Sequence, residues 1–210
     1  MENNSTQIQN RSNCLSLREK AEQAGLKTLP GTTDSDHLQW FAMRDLRRSN
    51  ARVLAWQQLS EAGLEVFTPL HWIITRQGSR RQRIERPVIA DLLFVHSTRR
   101  QLDPYVEASS TLQYRFAKGA QAKPITVRAT DMNRFVQAVT LGADTRYYLP
   151  DEVTPEMYGQ RVRLVGGPLD SYEGNLLYVR GSHKKRLLVE LSGFITAAVE
   201  VQPEYIQLIP

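Results

Sequence analysis

The chain has 210 residues, 41% hydrophobic and 23% charged, enough to bury one large core or two small ones. No apolar run reaches the roughly 20 residues that cross a bilayer, and the polar start M-E-N-N-S-T-Q lacks the apolar centre of a signal peptide, which predicts a cytoplasmic protein without a membrane partner. The single cysteine, Cys14, excludes an internal disulfide, and the net charge of +5 gives modest support for a polyanionic partner.

Residues 1 to 36 are rich in Asn, Gln, Ser and Thr and read as a flexible extension, with a short helix over Leu15 to Ala24. Order is expected from residue 37. L-Q-W-F-A-M-R is a first strand, followed by a basic turn. Ser49 or Asn50 is placed to cap a helix with Val53, Trp56 and Leu59 on one face, stopped by Gly63. L-E-V-F-T-P is a second strand, kept to an end position by Pro69. His71 to Ile74 continues into R-Q-G-S-R-R-Q-R, the tip of a long hairpin. R-P-V-I-A-D-L-L-F-V returns as a buried strand centred on Leu92 to Val95.

A short helix is predicted over Leu102 to Ser109, with Asp103-Pro104 near its start. Tyr114 to Ala117 and Ile125 to Val127 read as short strands. Thr130 then caps a helix carrying Met132, Phe135, Val136 and Val139 at helical spacing. The order over residues 37 to 142 is thus close to a βαββαβ sheet with helices on one face. Residues 143 to 158, with Pro150 and Pro155, read as a linker.

From residue 159 the pattern changes. Short apolar runs recur about every ten residues, cut by Gly-rich or charged turns, which predicts a small five-stranded β-barrel over 159 to 210. Val162 and Leu164 alternate with Arg161 and Arg163, so one face is buried and the other wetted. Gly167, Pro168 and Gly174 are structural, shaping the turn. The fold class is α+β: a sheet domain with helices, then an SH3-like barrel.

Chemistry-bearing residues are few. His37, His71, His96 and His183 are scattered without metal-ligand spacing, no Gly-rich phosphate loop precedes a helix, and no Ser or Cys has a nucleophile's frame. The reading is therefore a binding protein with no cofactor and no metal. Arginine clusters carry the binding signal: Arg44, Arg47, Arg48 and Arg52; then Arg76, Arg80, Arg81, Arg83 and Arg86, residues suited to phosphate forks. Arg52 is expected in the first turn of the first helix, where a cation opposes the helix dipole and a phosphate would reverse that effect. Trp40, Phe41, Val66 and Phe67 read as plain core. Phe94 is either core or part of an apolar patch for a partner, because its alternate neighbours are also apolar.

W-F-A-M-R-D, the helix, G-L-E-V-F-T-P-L, the basic hairpin and R-P-V-I-A-D-L-L-F-V together resemble the N-terminal domain of the NusG family, and V-R-L-V-G-G-P-L-D-S-Y-E-G-N-L resembles its KOW motif. The arginine-rich hairpin and E-R-P are similar to the specialised branch that includes UpxY and RfaH. The resemblance implies a monomeric transcription antiterminator that binds the clamp helices of RNA polymerase and exposed non-template DNA, serving an operon such as one for capsular or surface polysaccharide. It implies polymerase contact through Leu92, Phe94 and Arg44, and nucleic-acid contact through Arg47, Arg48, Arg52 and the hairpin arginines, which would reach upstream DNA or another channel wall. In the barrel it implies contact between Phe194 and Ile195 and a small-subunit ribosomal protein or Rho. A ribosome-associated RNA-binding protein with such a barrel is the alternative.

Overall fold

Strand β1 (Gln39–Asp45) is apolar on both faces from Trp40 to Met43, and such a strand is stable only with neighbours on both edges. The computed structural model, which describes residues 37–47, 51, 53–77, 80–117, 123–181, 183–191 and 193–209, places it in the middle of an antiparallel sheet. One edge pairs with β5 (Leu93–Ser97) in the register Phe41↔Val95, and the other pairs with β6 (Leu112–Tyr114) and β7 (Thr126–Val127). Beyond β5 lies β2 (Glu65–Phe67), so the order is β2-β5-β1-β6, with β7 also on β1. Phe41, Met43, Leu93 and Val95 share one face and close a core with Leu59, Leu102, Leu112 and Tyr114. This matches the expected strand and helix order.

Helix α1 (Ala55–Glu61) begins later than the Ser49 or Asn50 cap would set it. The reason lies in β1. Buried Asp45 accepts from the Ala55 N–H at 2.8 Å, and Gln57 Oε1 accepts from the Leu54 N–H at 3.0 Å, so a residue ten positions upstream satisfies the first-turn donor. Helix α2 (Arg99–Glu107) also starts earlier than expected. The Thr98 side chain accepts from Gln101 N, which fixes the start and leaves Pro104 inside the helix rather than near its beginning.

Strands β3 (Leu70–Gln77) and β4 (Arg80–Pro87) form their own two-stranded ribbon, paired continuously from Leu70↔Pro87 to Gln77↔Arg80. Most of the segment read as the hairpin's tip therefore belongs to its arms. Each arm spans about 26 Å at strand rise.

The chain divides into two compact units, Met1–Arg128 and Ala129–Pro210. The second holds helix α3 (Ala129–Leu141), β8 (Ala143–Tyr148), β9 (Tyr158–Leu164), β10 (Glu173–Leu177), β11 (Arg186–Leu191), β12 (Ile195–Glu200) and β13 (Ile206–Leu208). Its sheet runs β13-β9-β10-β11-β12-β8, six strands where five were expected. The sixth comes from residues read as linker: β8 pairs antiparallel with β12, Thr196 facing Tyr148. Helix α3 packs on β11 and β12, with Met132, Phe135 and Ala138 fully buried. Its start at Ala129 puts Thr130 inside the first turn rather than at the cap. The Tyr172 hydroxyl meets Arg134 O at 2.9 Å while the Arg134 guanidinium lies 4.9 Å over the Tyr172 ring. The sequence places this helix with the N-terminal sheet, but its apolar stripe serves the second unit.

Gly142 fits the passage from α3 to β8, because a Cβ there would overlap the Val199 side chain. Lys184 and buried Arg186 both bond Asp144 of β8, at 2.9 and 2.8 Å, and Lys184 also reaches Glu200 at 2.7 Å. The two cations hold the Asp144 carboxyl down to about 2.

Candidate functional site

The two arginine clusters of the first unit have opposite fates. Arg47 is turned inward. Its Nε donates to Thr111 Oγ1 at 3.2 Å, and its two terminal nitrogens donate to Val53 O at 2.9 Å and Gln58 Oε1 at 2.7 Å. Asp45 accepts from the Arg47 backbone N–H at 3.0 Å, so the same carboxylate that caps α1 also fixes this turn. With three of its five N–H donors committed to its own domain, this guanidinium is held as a framework group. Arg48 and Arg52 lie outside the described residues. Sequence order alone does not separate Arg47 from them; the signal was Asp45, an acid ending an apolar strand two residues before Arg47.

Arg44 is half-exposed and pairs through Nε with Asp91 at 3.2 Å, and Arg115 joins the same carboxylate at 3.0 Å. Asp91 O also accepts from Asp45 N at 3.3 Å. Ala90-Asp91-Leu92 thus acts as an anchored turn between ribbon and sheet. Leu92 and Phe94, expected to offer an apolar contact surface, are 3% and 0% exposed. Phe94 faces Ala42 across β1 and Phe67 across β2, on the side of β5 opposite Leu93 and Val95.

The ribbon is different. Residues 70 to 87 carry five arginines against one glutamate. Residues directly paired across an antiparallel ladder share a face, so Trp72, Ile74, Arg76, Arg81, Arg83 and Glu85 lie on one side of the ribbon. On this side Trp72 is 54% and Ile74 is 73% exposed. The Arg83 guanidinium lies 4.5 Å from the centre of the Trp72 ring. Arg76 directly opposes Arg81, a like-charge pair that destabilises a bare ladder. Among the described residues none of the ribbon's arginines forms an ion pair within the chain. The opposite side holds the half-buried pair Ile73↔Ile84, with Arg80 exposed and Arg86 half-buried. Trp72 lies within the His71 to Ile74 segment, and its period-two alignment with Ile74 and Arg76 is the sequence signal that marks the outward face.

In the second unit Gly166 and Gly167 take left-handed φ of 83° and 72°, and Pro168 is exposed in the turn that follows. Gly174 lies in β10, not in that turn. A Cβ there would meet Leu188 O at 2.9 Å, so the glycine serves close strand approach. Phe194 is half-buried in the turn between β11 and β12, and Ile195 is buried as the first residue of β12, a core position rather than a presented anchor.

Among the described residues no group of His, Cys, Asp or Glu has a metal-binding arrangement, and no helix is long and apolar enough to cross a membrane. No curated protein matches the chain. The chain is similar to the solved structure described as "Domain interaction in Thermotoga maritima NusG", with 14% identity, a TM-score of 0.41, and coverage of 83% of this chain and 98% of that one. Residues 38–136 match the family model described as transcription termination factor nusG. Over those residues, a little under half of its length, the chain is similar to the NusG family.

Proposed function

We propose that the chain is a transcription elongation factor of the antiterminator kind, which binds RNA polymerase and holds exposed DNA so that pausing or termination is suppressed. The observation that carries this reading is a basic ribbon, its arginines without an ion pair among the described residues, inside the segment that matches the NusG family model. Such a hold requires no bond to be made or broken. Cations placed along a strand displace its counterions and slow its release, and a polymerase contact supplies the register.

Arg76, Arg80, Arg81 and Arg83 are the DNA contacts in this reading, and Arg47 is a framework residue. Arg44 is the accessible member of the polymerase-facing set, whereas Leu92 and Phe94 would contact polymerase only if their face were uncovered. The second unit, read as a KOW barrel, would offer Phe194 to a small-subunit ribosomal protein or to Rho. Service to one operon, such as a surface-polysaccharide cluster, is the finer form of the proposal and follows from the resemblance to UpxY and RfaH alone.

The test is retention of RNA polymerase on the immobilised chain, together with single-round transcription across a terminator. The expected result is polymerase retention that Arg44→Glu weakens, and terminator read-through that disappears when Arg76, Arg81 and Arg83 are all changed to Ser. Retention of ribosomal RNA without polymerase would overturn the proposal.

A further inference from the structure

We propose that the outward face of the β3–β4 ribbon is a stacking platform for an unpaired nucleotide strand, with Trp72 as the base-contacting residue and Arg83 as its backing layer. This rests on the reading that the ribbon holds nucleic acid and adds which form it takes. The sequence suggested upstream DNA or another channel wall as the target of these arginines. The geometry points instead to a strand with free bases.

Three observations converge. An indole 54% exposed on a ribbon leaves a large apolar surface in water, and Ile74, the next residue on the same face, is 73% exposed. Arg83 lies 4.5 Å from the indole centre, so its guanidinium and the ring form two layers of a stack on which a base can form another. Arg76 and Arg81 oppose each other further along this face, and among the described residues no carboxylate is paired to either. The only acid of the ribbon, Glu85, opposes Trp72 and lies towards the root. From the root outwards, the face therefore runs from acid and aromatic to aliphatic and then to cations.

A polyanion removes the repulsion between Arg76 and Arg81, which gives the charge complementarity. The Trp72 face then discriminates between forms of nucleic acid. In a duplex the base faces are covered by their neighbours and only edges and phosphates are presented. An unpaired strand offers phosphates to the arginines and a base face to the indole at once. Stacking is tolerant of sequence, because every base has a π-face, so the platform would grip a strand without reading it.

The test uses the full chain with three fluorescein-labelled probes, oligothymidylate, oligouridylate and a duplex of the same length, at moderate salt. Binding is followed by anisotropy and by quenching of tryptophan emission. Single strands are expected to bind at least tenfold tighter than duplex. Trp72→Ala should lose roughly tenfold on single strands and leave duplex binding unchanged, while Trp72→Phe, which keeps a ring, retains most of the affinity. Tighter binding of oligothymidylate assigns the strand as DNA, and tighter binding of oligouridylate assigns it as RNA; both fit the platform. If Trp72→Ala binds all probes as wild type, while replacing Arg76, Arg81 and Arg83 with Ser weakens them, the platform is overturned and the basic ribbon stands. If that triple change has no effect, or no probe binds, both readings fail. An acidic protein surface is then the remaining target for the ribbon.

Discussion

The turn after β1 and the β3–β4 ribbon are both arginine clusters, and they use the residue in contrary ways. Around Asp45 the backbone exposes first-turn donors and carbonyls that need partners, and Arg47 and Asp45 supply them from the inside. Along the ribbon the two arms from Leu70 to Pro87 pair with each other, so the arginine side chains have no open main chain to complete. What a cluster of cations does is decided less by its charge than by whether the surrounding main chain is already satisfied.

Four experiments would break or sharpen that contrast. The largest effect is expected from Arg47→Ala, which strips partners from Val53 O, Thr111 and Gln58. Urea unfolding should register a loss of about 3 kcal/mol, while oligonucleotide affinity changes less than twofold. Equal losses of stability and affinity would erase the distinction. Changing Arg76, Arg81 and Arg83 to Ser should do the reverse: nucleic-acid affinity falls at least tenfold, about 1.4 kcal/mol, and the melting temperature holds or rises. The same triple variant should flatten the dependence of log K on log salt by about two, close to 0.7 for each phosphate of a single strand that the arginines no longer neutralise.

The smallest effect belongs to Tyr114, whose hydroxyl donates to Asp103 Oδ1 at 2.7 Å beneath Arg99. Tyr114→Phe should cost about 1 kcal/mol in the first unit. It also carries a pH signature. Burial foremost, and then the Asp103 bond, push the Tyr114 hydroxyl above its ordinary value near 10. A group raised in the folded state contributes fully below about pH 10, and that contribution falls away as pH rises towards the native value. Wild-type stability should therefore decline above about pH 10, and the Phe variant should decline less. A variant as alkali-sensitive as wild type would place the titration elsewhere.

The strand and helix order of the first sheet was legible because periodicity two and the stop residues Gly63 and Pro69 act locally. The two helix starts of the first unit differ from the sequence expectation for different reasons. Asp45 satisfies α1 from ten residues away, which no local capping rule contains, and Thr98 was overlooked in favour of Asp103-Pro104. The linker reading failed at β8, since A-D-T-R-Y-Y becomes a strand only because β12 offers an edge. In the site, arginine composition marks the ribbon as a charged feature, but composition does not reveal that Arg47 is consumed internally. The stripe Trp72, Ile74, Arg76 was readable from alternation alone; its pairing with Arg81 and Arg83 needed the register.

That register makes the ribbon behave as a parity device. Residues of even number in β3 face one way and those of odd number the other, so deleting one residue near Leu70 would exchange the two sides while leaving composition, charge and length of sheet nearly untouched. The Trp72 stripe of β3 would turn to the side where Ile84 of β4 now points, and Ile73 would turn outward. Insertions of two residues would preserve the face and lengthen the arm by about 7 Å. Variation in such a ribbon is therefore constrained to even steps, and its reach can change without changing its grip.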